Sequence, residues 1–247
     1  MVERMDEVNE HLRLTQRSTG LTFGTDALLL AAYITRAENS RAVELGGGTG
    51  IVSLLLATRR KVAHVECVEL QEPYARLAAR NAEENGLTDL VKVTHADIRD
   101  HGAYGTGGDL DLVFTNPPYM KNEGGECLSE EKQIARHEVH GDITDFTRAA
   151  AKKLRWGGRF FCVYRPDRLT DLLTAMRESG IEPKRMTFVH ATPALPPSMV
   201  LVEGKRGGKS GLRLTRPLMI GADLAQRAES KDMTYILTEG RFPKDYE

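Results

Sequence analysis

Apolar and polar positions fall into blocks along this chain, and the block lengths sort into strands and helices. Residues 42–45, 62–70, 91–93, 110–114 and 159–164 are short apolar runs bounded by turn residues, the pattern of buried strands. Between them lie stretches of helix formers. The first covers 25–33, with Thr25 or Asp26 as its predicted cap, and the second covers 51–58. A third starts near Pro73, where a missing N–H costs little, and stops at Asn85-Gly86. Residues 142–154 form a fourth, closed by Gly157-Gly158, and 166–179 a fifth, ending at Gly180. Two extended segments follow at 185–190 and 199–203. Strands alternating with helices of these lengths predict an α/β fold, a parallel sheet covered on both faces. With no internal repeat or Ser/Pro-rich linker, residues 1–247 read as a single domain, determined best over about 20–217 and least at 1–21 and 220–247. The polar stretch 120–141 reads as a long loop between strand and helix; loops of that length are usually functional or mobile.

Composition narrows the class. Hydrophobic residues are 40% and charged residues 28% of the 247, ordinary for a soluble globular protein. No run approaches the ~18 apolar residues of a membrane span, and the start, Met1-Val-Glu-Arg-Met-Asp-Glu7, lacks an apolar signal core, so a cytoplasmic protein is expected. Cys67, Cys127 and Cys162 are far apart and odd in number, suiting neither a disulfide framework nor a zinc site; no metal is expected. The net charge of −1 does not announce a nucleic-acid binder. Its distribution does more: residues 152–216 hold 14 Lys or Arg against 5 Asp or Glu, enough for one phosphate-attracting face on a neutral protein.

Two motifs carry chemistry. Glu44-Leu-Gly-Gly-Gly-Thr-Gly50 places Gly46, Gly48 and Gly50 at a strand-to-helix turn, where the backbone must bend sharply and let a ligand touch bare main chain. The dinucleotide spacing G-x-G-x-x-G would need a third glycine at Ile51 or Ser53, which lowers a nicotinamide reading. Glu69 ends the next strand, where a carboxylate can accept both ribose hydroxyls of an adenosine moiety. Asp97 follows the third strand and could bond an adenine amine, with Ile98 against the ring. Taken singly, each carboxylate reads as a helix cap or surface charge. Three after successive strands favour a cradle that would also suit the sulfonium of S-adenosylmethionine (SAM). Thr25 and Asp26 can close its methionine end or simply cap a helix.

The second motif is Asn116-Pro-Pro-Tyr119, at the end of the fourth strand. The Asn116 side-chain carbonyl and the Pro117 main-chain carbonyl can each accept one hydrogen of a planar –NH2, and proline adds no competing donor. Tyr119 would stack on the ring bearing that amine. Asn-Pro alone is an ordinary turn starter; after a glycine cradle it fits amine methylation.

Through these motifs the chain resembles the class I methyltransferases acting on amino groups, and more narrowly the bacterial tRNA(Val) adenine-N6 methyltransferases. The likeness extends to Phe23-Gly-Thr-Asp26, Ile134-Ala-Arg-His-Glu138, Arg165-Pro-Asp-Arg168, Glu182-Pro-Lys-Arg185 and Val202-Glu-Gly-Lys-Arg-Gly-Gly-Lys-Ser-Gly211, covering roughly 20–217. The resemblance implies a Rossmann-like, mostly parallel seven-stranded sheet with an antiparallel strand near its end. It implies SAM as cofactor, tRNA as partner, Asn116, Pro117 and Tyr119 at the target adenine, and Glu69 and Asp97 on the cofactor. Such an adenine must be splayed from its loop to enter the pocket. Arg136, His137, Arg165, Arg168, Lys205, Arg206 and Lys209 are the candidate RNA contacts; His137 is assigned to loop closure or RNA because amine transfer requires no general base. Three other readings share parts of the pattern: a glutamine methyltransferase of the release-factor type, an RNA-binding protein without turnover, and a nicotinamide dehydrogenase.

Overall fold

A computed structural model describes residues 3–17, 23–35, 37–105, 108–117, 141–222 and 229–246. The chain opens with an antiparallel hairpin, β1 (Glu3–Asn9) and β2 (Leu12–Arg17), followed by α1 (Thr25–Tyr33). The predicted alternation then appears as β3 (Arg41–Leu45), α2 (Ile51–Thr58), β4 (His64–Glu69), α3 (Glu72–Glu84) and β5 (Val91–His95). It continues through β6 (Leu110–Thr115), α4 (Ile143–Lys153), β7 (Leu154–Tyr164), α5 (Leu169–Glu178), β8 (Ile181–His190) and β9 (Pro197–Arg206). Two short strands, β10 (Arg213–Leu214) and β11 (Leu218–Met219), precede α6 (Lys231–Glu239).

The main sheet has spatial order β10-β8-β9-β7-β6-β3-β4-β5, with β11 also on β8. Strands β5, β4, β3, β6 and β7 are parallel, while β9 lies antiparallel between β7 and β8. This is the mostly parallel sheet with a late antiparallel strand that the resemblance implies, widened at one edge by β10 and β11. The chain builds outward from β3 to β5, then returns to β6 on the other side of β3. That reversal opens a crevice at the carboxyl ends of β3 and β6, where sheets of this type bind ligands.

Apolar side chains explain the layering. Leu29, Leu30, Leu54, Leu55 and Ile236 of α1, α2 and α6 pack in one cluster on one face. Phe146, Ala150, Leu172 and Met176 of α4 and α5 pack with Val113 and Phe160 in a second cluster on the other.

Several local expectations change. Neither Thr25 nor Asp26 holds the cap position of α1: Gly24 does, with no side-chain hydrogen bond, while Asp26, inside the first turn, accepts from Ala27 N at 2.9 Å. Gly157-Gly158 does not close a helix. α4 ends before Leu154, and the glycines lie inside β7, where its register against β6 shifts between Leu110 and Leu112. An extra loop of strand at such a bulge favours residues without side chains. The segment 166–179 begins as a 3-10 turn, Pro166–Arg168, before becoming helical. The ends left open by the sequence form the β1–β2 hairpin and α6.

Buried Asn81 joins the hairpin to the sheet. Its Oδ1 accepts from Thr15 N at 2.8 Å, and its Nδ2 donates to the carbonyls of Thr15 at 3.1 Å and Thr49 at 3.0 Å. Thr49 lies in the glycine turn, so one amide ties α3, β2 and that turn together. Asn81→Ala should lower unfolding free energy by roughly 2–3 kcal/mol, since buried groups lose their partners. Urea titration measures the loss, and limited proteolysis should show earlier cleavage in the β1–β2 region.

Candidate active site

Parallel pairing aligns the strand ends. Glu44 stands opposite Phe114, Leu45 opposite Val68 and Glu69 opposite His95, so the glycine turn, Glu69, Asp97 and Asn116 emerge along one edge. Gly46, Gly48 and Gly50 have φ of 74°, 56° and 82°, a left-handed backbone that side chains disfavour. The turn is drawn over β4: the N–H groups of Gly46 and Gly47 donate to Val68 O at 2.9 and 3.0 Å. Gly47 is constrained by space, because a Cβ there would lie 2.1 Å from Cys67 Sγ. The unbroken run of three glycines was the signal for it.

The carboxylates divide into different tasks. Glu44, 2% exposed, points behind the turn, its Oε2 accepting from Ser53 N at 3.1 Å and from Ser53 Oγ. It braces the start of α2 rather than lining an open cradle, because the β3 pleat turns it inward. Burial pushes its carboxyl up to about 8, against the Ser53 bonds and with help from the Glu69 charge. Glu69, 6% exposed, accepts from Gly48 N and Gln71 N, each at 2.8 Å, and so sets the shape of the glycine turn from below. Burial raises it too, opposed by those backbone bonds. Each oxygen keeps capacity for another donor. Asp97 holds Arg99 through both oxygens, from Arg99 Nε at 2.9 and 3.1 Å and Nη2 at 2.5 Å. Ile98 is buried beside it, its carbonyl taken by Tyr104 Oη at 2.6 Å.

Across the crevice, Thr115 Oγ1 donates to Leu45 O at 2.7 Å, fastening the end of β6 to the end of β3. The next residue supplies the decisive group. Asn116 Nδ2 donates to Asp26 Oδ2 at 2.8 Å, while its Oδ1 is buried with no hydrogen-bond partner among the described residues. An orphaned buried carbonyl is costly and rare. Asp26 thus fixes the amide so that the carbonyl oxygen remains available. The sequence placed Asp26 near the pocket but gave no sign of this bond across 90 residues. Thr25 begins the same helix at the same edge. Pro117 is buried behind Asn116. Tyr119, Arg136 and His137 lie outside the described residues.

The candidate RNA residues separate. Arg165 and Arg168 flank the 3-10 turn directly after β7, on the Asn116 edge, where Arg165 forks onto Asp167 at 2.9 Å and Arg168 meets Asp171 at 3.2 Å. Lys205 instead pairs in register with Arg159, near the opposite end of β7, because β9 runs antiparallel. Lys205, Arg206 and Lys209 are therefore not part of the acceptor rim, and Arg206 Nη1 is spent on Ser179 O at the end of α5. Nor does the local charge excess form one face. Lys153 is buried on the carbonyls of His101, Tyr104 and Gly105, and Arg159 and Arg185 share Glu203.

A cavity of about 390 Å³ at the far end of α1 and α2 is lined by Arg59, Lys61, Arg185 and Arg241. Lys61 Nζ there closes α1 through the carbonyls of Ala31, Ala32 and Ile34 at 2.7, 3.1 and 2.6 Å, a packing role remote from the strand-end crevice. Among the described residues, no cluster of three His, Cys, Asp or Glu side chains could hold a metal, and no helix is long and apolar enough to cross a membrane.

Comparison with known proteins concerns family and fold. Residues 18–178 match the family model of the methyltransferase small domain. A tRNA1(Val) (adenine(37)-N6)-methyltransferase of Klebsiella pneumoniae is 32% identical over 181 residues, 72% of this chain and 73% of that protein. The protein of the same name from Aliivibrio fischeri is 33% identical over 120 residues, 49% of this chain, which spans only 50% of that relative's length. In three dimensions, a predicted O-methyltransferase from Agrobacterium tumefaciens aligns with a TM-score of 0.70 at 22% identity, over 87% of this chain and 96% of its own; that likeness concerns the fold.

The buried Glu44 carboxyl yields a pH prediction. Its ordinary value is 4.5 and its folded value about 8, so between these the folded chain holds a proton that the unfolded chain releases. Stability from this group is present below pH 4.5 and is lost as pH rises through 8. Glu44→Gln should therefore flatten the loss of stability between pH 5 and pH 9, by roughly 1–3 kcal/mol, because the amide keeps an acceptor for Ser53. Thermal melts of both proteins across that range test it.

Proposed function

The chain belongs to the methyltransferase small domain family, and from that membership we propose that it transfers a methyl group from SAM to the N6 amine of an adenine in tRNA, next to the anticodon. The observation carrying this reading is the buried Oδ1 of Asn116, unpartnered among the described residues and oriented by Asp26 at the rim of a glycine turn.

The residues present fit the cofactor. Bare backbone at Gly46, Gly48 and Gly50 admits close approach, and the remaining lone pairs of Glu69 suit ribose hydroxyls. Asp97 and Ile98 would meet the adenine end, Thr25 the methionine end, and Glu44 supports the turn from behind. SAM supplies, when bound, an electrophilic methyl on a positive sulfonium. Everything else falls to this chain. Asn116 Oδ1 and the Pro117 carbonyl accept the two amine hydrogens, which aims the nitrogen lone pair away from the ring plane and toward the cofactor side. Tyr119 is assigned the stacking face. A neutral amine needs no strong base, because its proton becomes acidic only as the new N–C bond forms; catalysis rests on positioning and fixed dipoles. Arg165 and Arg168 stand where phosphates beside a splayed base would pass. The cytoplasm, where tRNA resides, is the assigned compartment.

Incubating the purified protein with methyl-labelled SAM and bulk tRNA, then analysing nucleosides, tests the reading. Label should appear as N6-methyladenosine. Label at another adenine position, or only in release-factor glutamine, would overturn it. Asn116→Ala should cut kcat by about 10²–10³-fold while the SAM dissociation constant stays within about twofold, as its side chain serves the acceptor; equal losses in both would remove it from that role.

A further inference from the structure

We propose that the turn leaving β9 and the start of β7 form a second tRNA platform, on the sheet edge opposite Asn116. It rests on the functional reading above and extends it to nucleotides distant from the target base. Trp156, the only tryptophan in the chain, is 75% exposed, although an indole normally stabilises a fold by burial. Its ring is nevertheless seated. One edge lies on Gly207, where a Cβ would fall 2.2 Å from Cζ2 and 2.5 Å from Cη2. Gly207, at φ 64°, is held in place by its N–H on Gly180 O at 3.0 Å. Gly208 N–H donates to Lys205 O at 3.1 Å, and Lys184 Nζ to Lys209 O at 2.9 Å. The aromatic surface is thus pre-positioned by backbone and open to solvent.

Charge selects the partner. Lys205 and Lys209 are exposed, and neither meets a carboxylate among the described residues. The acid beside the turn, Glu182, is engaged by Arg177 at 3.3 Å, and Asp111 is engaged by Arg155 at 2.7 Å. An open aromatic ring between free lysines matches the stacking-plus-phosphate mode of nucleic-acid binding. Protein interfaces instead exclude lysine from their centres.

Distance gives the platform its own role. Lys205 faces Arg159, whereas Thr115, the neighbour of Asn116, faces Cys162. At ~3.3 Å per residue the levels of Lys205 and Asn116 differ by roughly 13 Å along the strands, with the turn lying farther still. A base in the acceptor site cannot reach it; other nucleotides of the same RNA can.

Because Trp156 is the sole indole, the fluorescence of the unmodified protein reads the platform directly. Titration with tRNA should quench it saturably, and Lys205→Glu with Lys209→Glu should shift the midpoint at least about tenfold and flatten its salt dependence. Trp156→Ala should raise the tRNA Michaelis constant about five- to fiftyfold with kcat unchanged. Emission unaffected at tRNA concentrations that saturate methyl transfer would overturn the platform and leave the acceptor site standing. Quenching without methylation would fault the functional reading alone. Should Trp156→Ala dissolve a dimer on sedimentation while the Michaelis constant stays put, the surface belongs to a protein partner and the proposal fails.

Discussion

Asn116 donates its amide N–H to Asp26 and leaves its carbonyl oxygen buried without a partner among the described residues. A fold gains nothing from an unsatisfied buried acceptor; it loses the hydration of that group. The arrangement persists because both ends of the contact are anchored independently. β6 is fastened to β3 through Thr115 and Leu45, while Asp26 sits in the first turn of α1, whose apolar side chains are in the core. The amide cannot rotate to satisfy its oxygen without giving up Asp26. A neutral primary amine offers two N–H donors, the complement of this oxygen and the adjacent Pro117 carbonyl.

The same edge stores further cost in Glu44 and Glu69, two buried carboxyls displaced toward the protonated form by desolvation. They are tolerated because each bonds backbone that shapes the glycine turn, Ser53 for one and Gly48 for the other. Their role in the turn explains why carboxylates recur after successive strands.

Much of this was legible in the sequence, for physical reasons. Short apolar runs ending in Gly46, Glu69, Asp97 and Asn116 specify strands whose carboxyl ends share an edge, and parallel pairing follows from the helices between them. The inward turn of Glu44 was not legible, since it depends on pleat phase at β3. The Asp26 bond was not, since it joins residues brought together only by the reversal from β5 to β6. The distance of Lys205, Arg206 and Lys209 from Asn116 was not legible for a related reason: charge counting along the chain does not carry the antiparallel direction of β9, which sends that turn to the other edge. The glycine pair at 157–158 misled because a bulge and a helix stop share composition.

The coupling between Asp26 and Asn116 tests the account most directly. Rates of methyl transfer at saturating SAM would be measured for Asp26→Ala, Asn116→Ala and the double variant. If Asp26 acts by aiming the Asn116 carbonyl, the double variant should be no slower than Asn116→Ala alone, a strongly non-additive cycle. Independent, multiplying losses would contradict the claim that one oriented carbonyl organises this site.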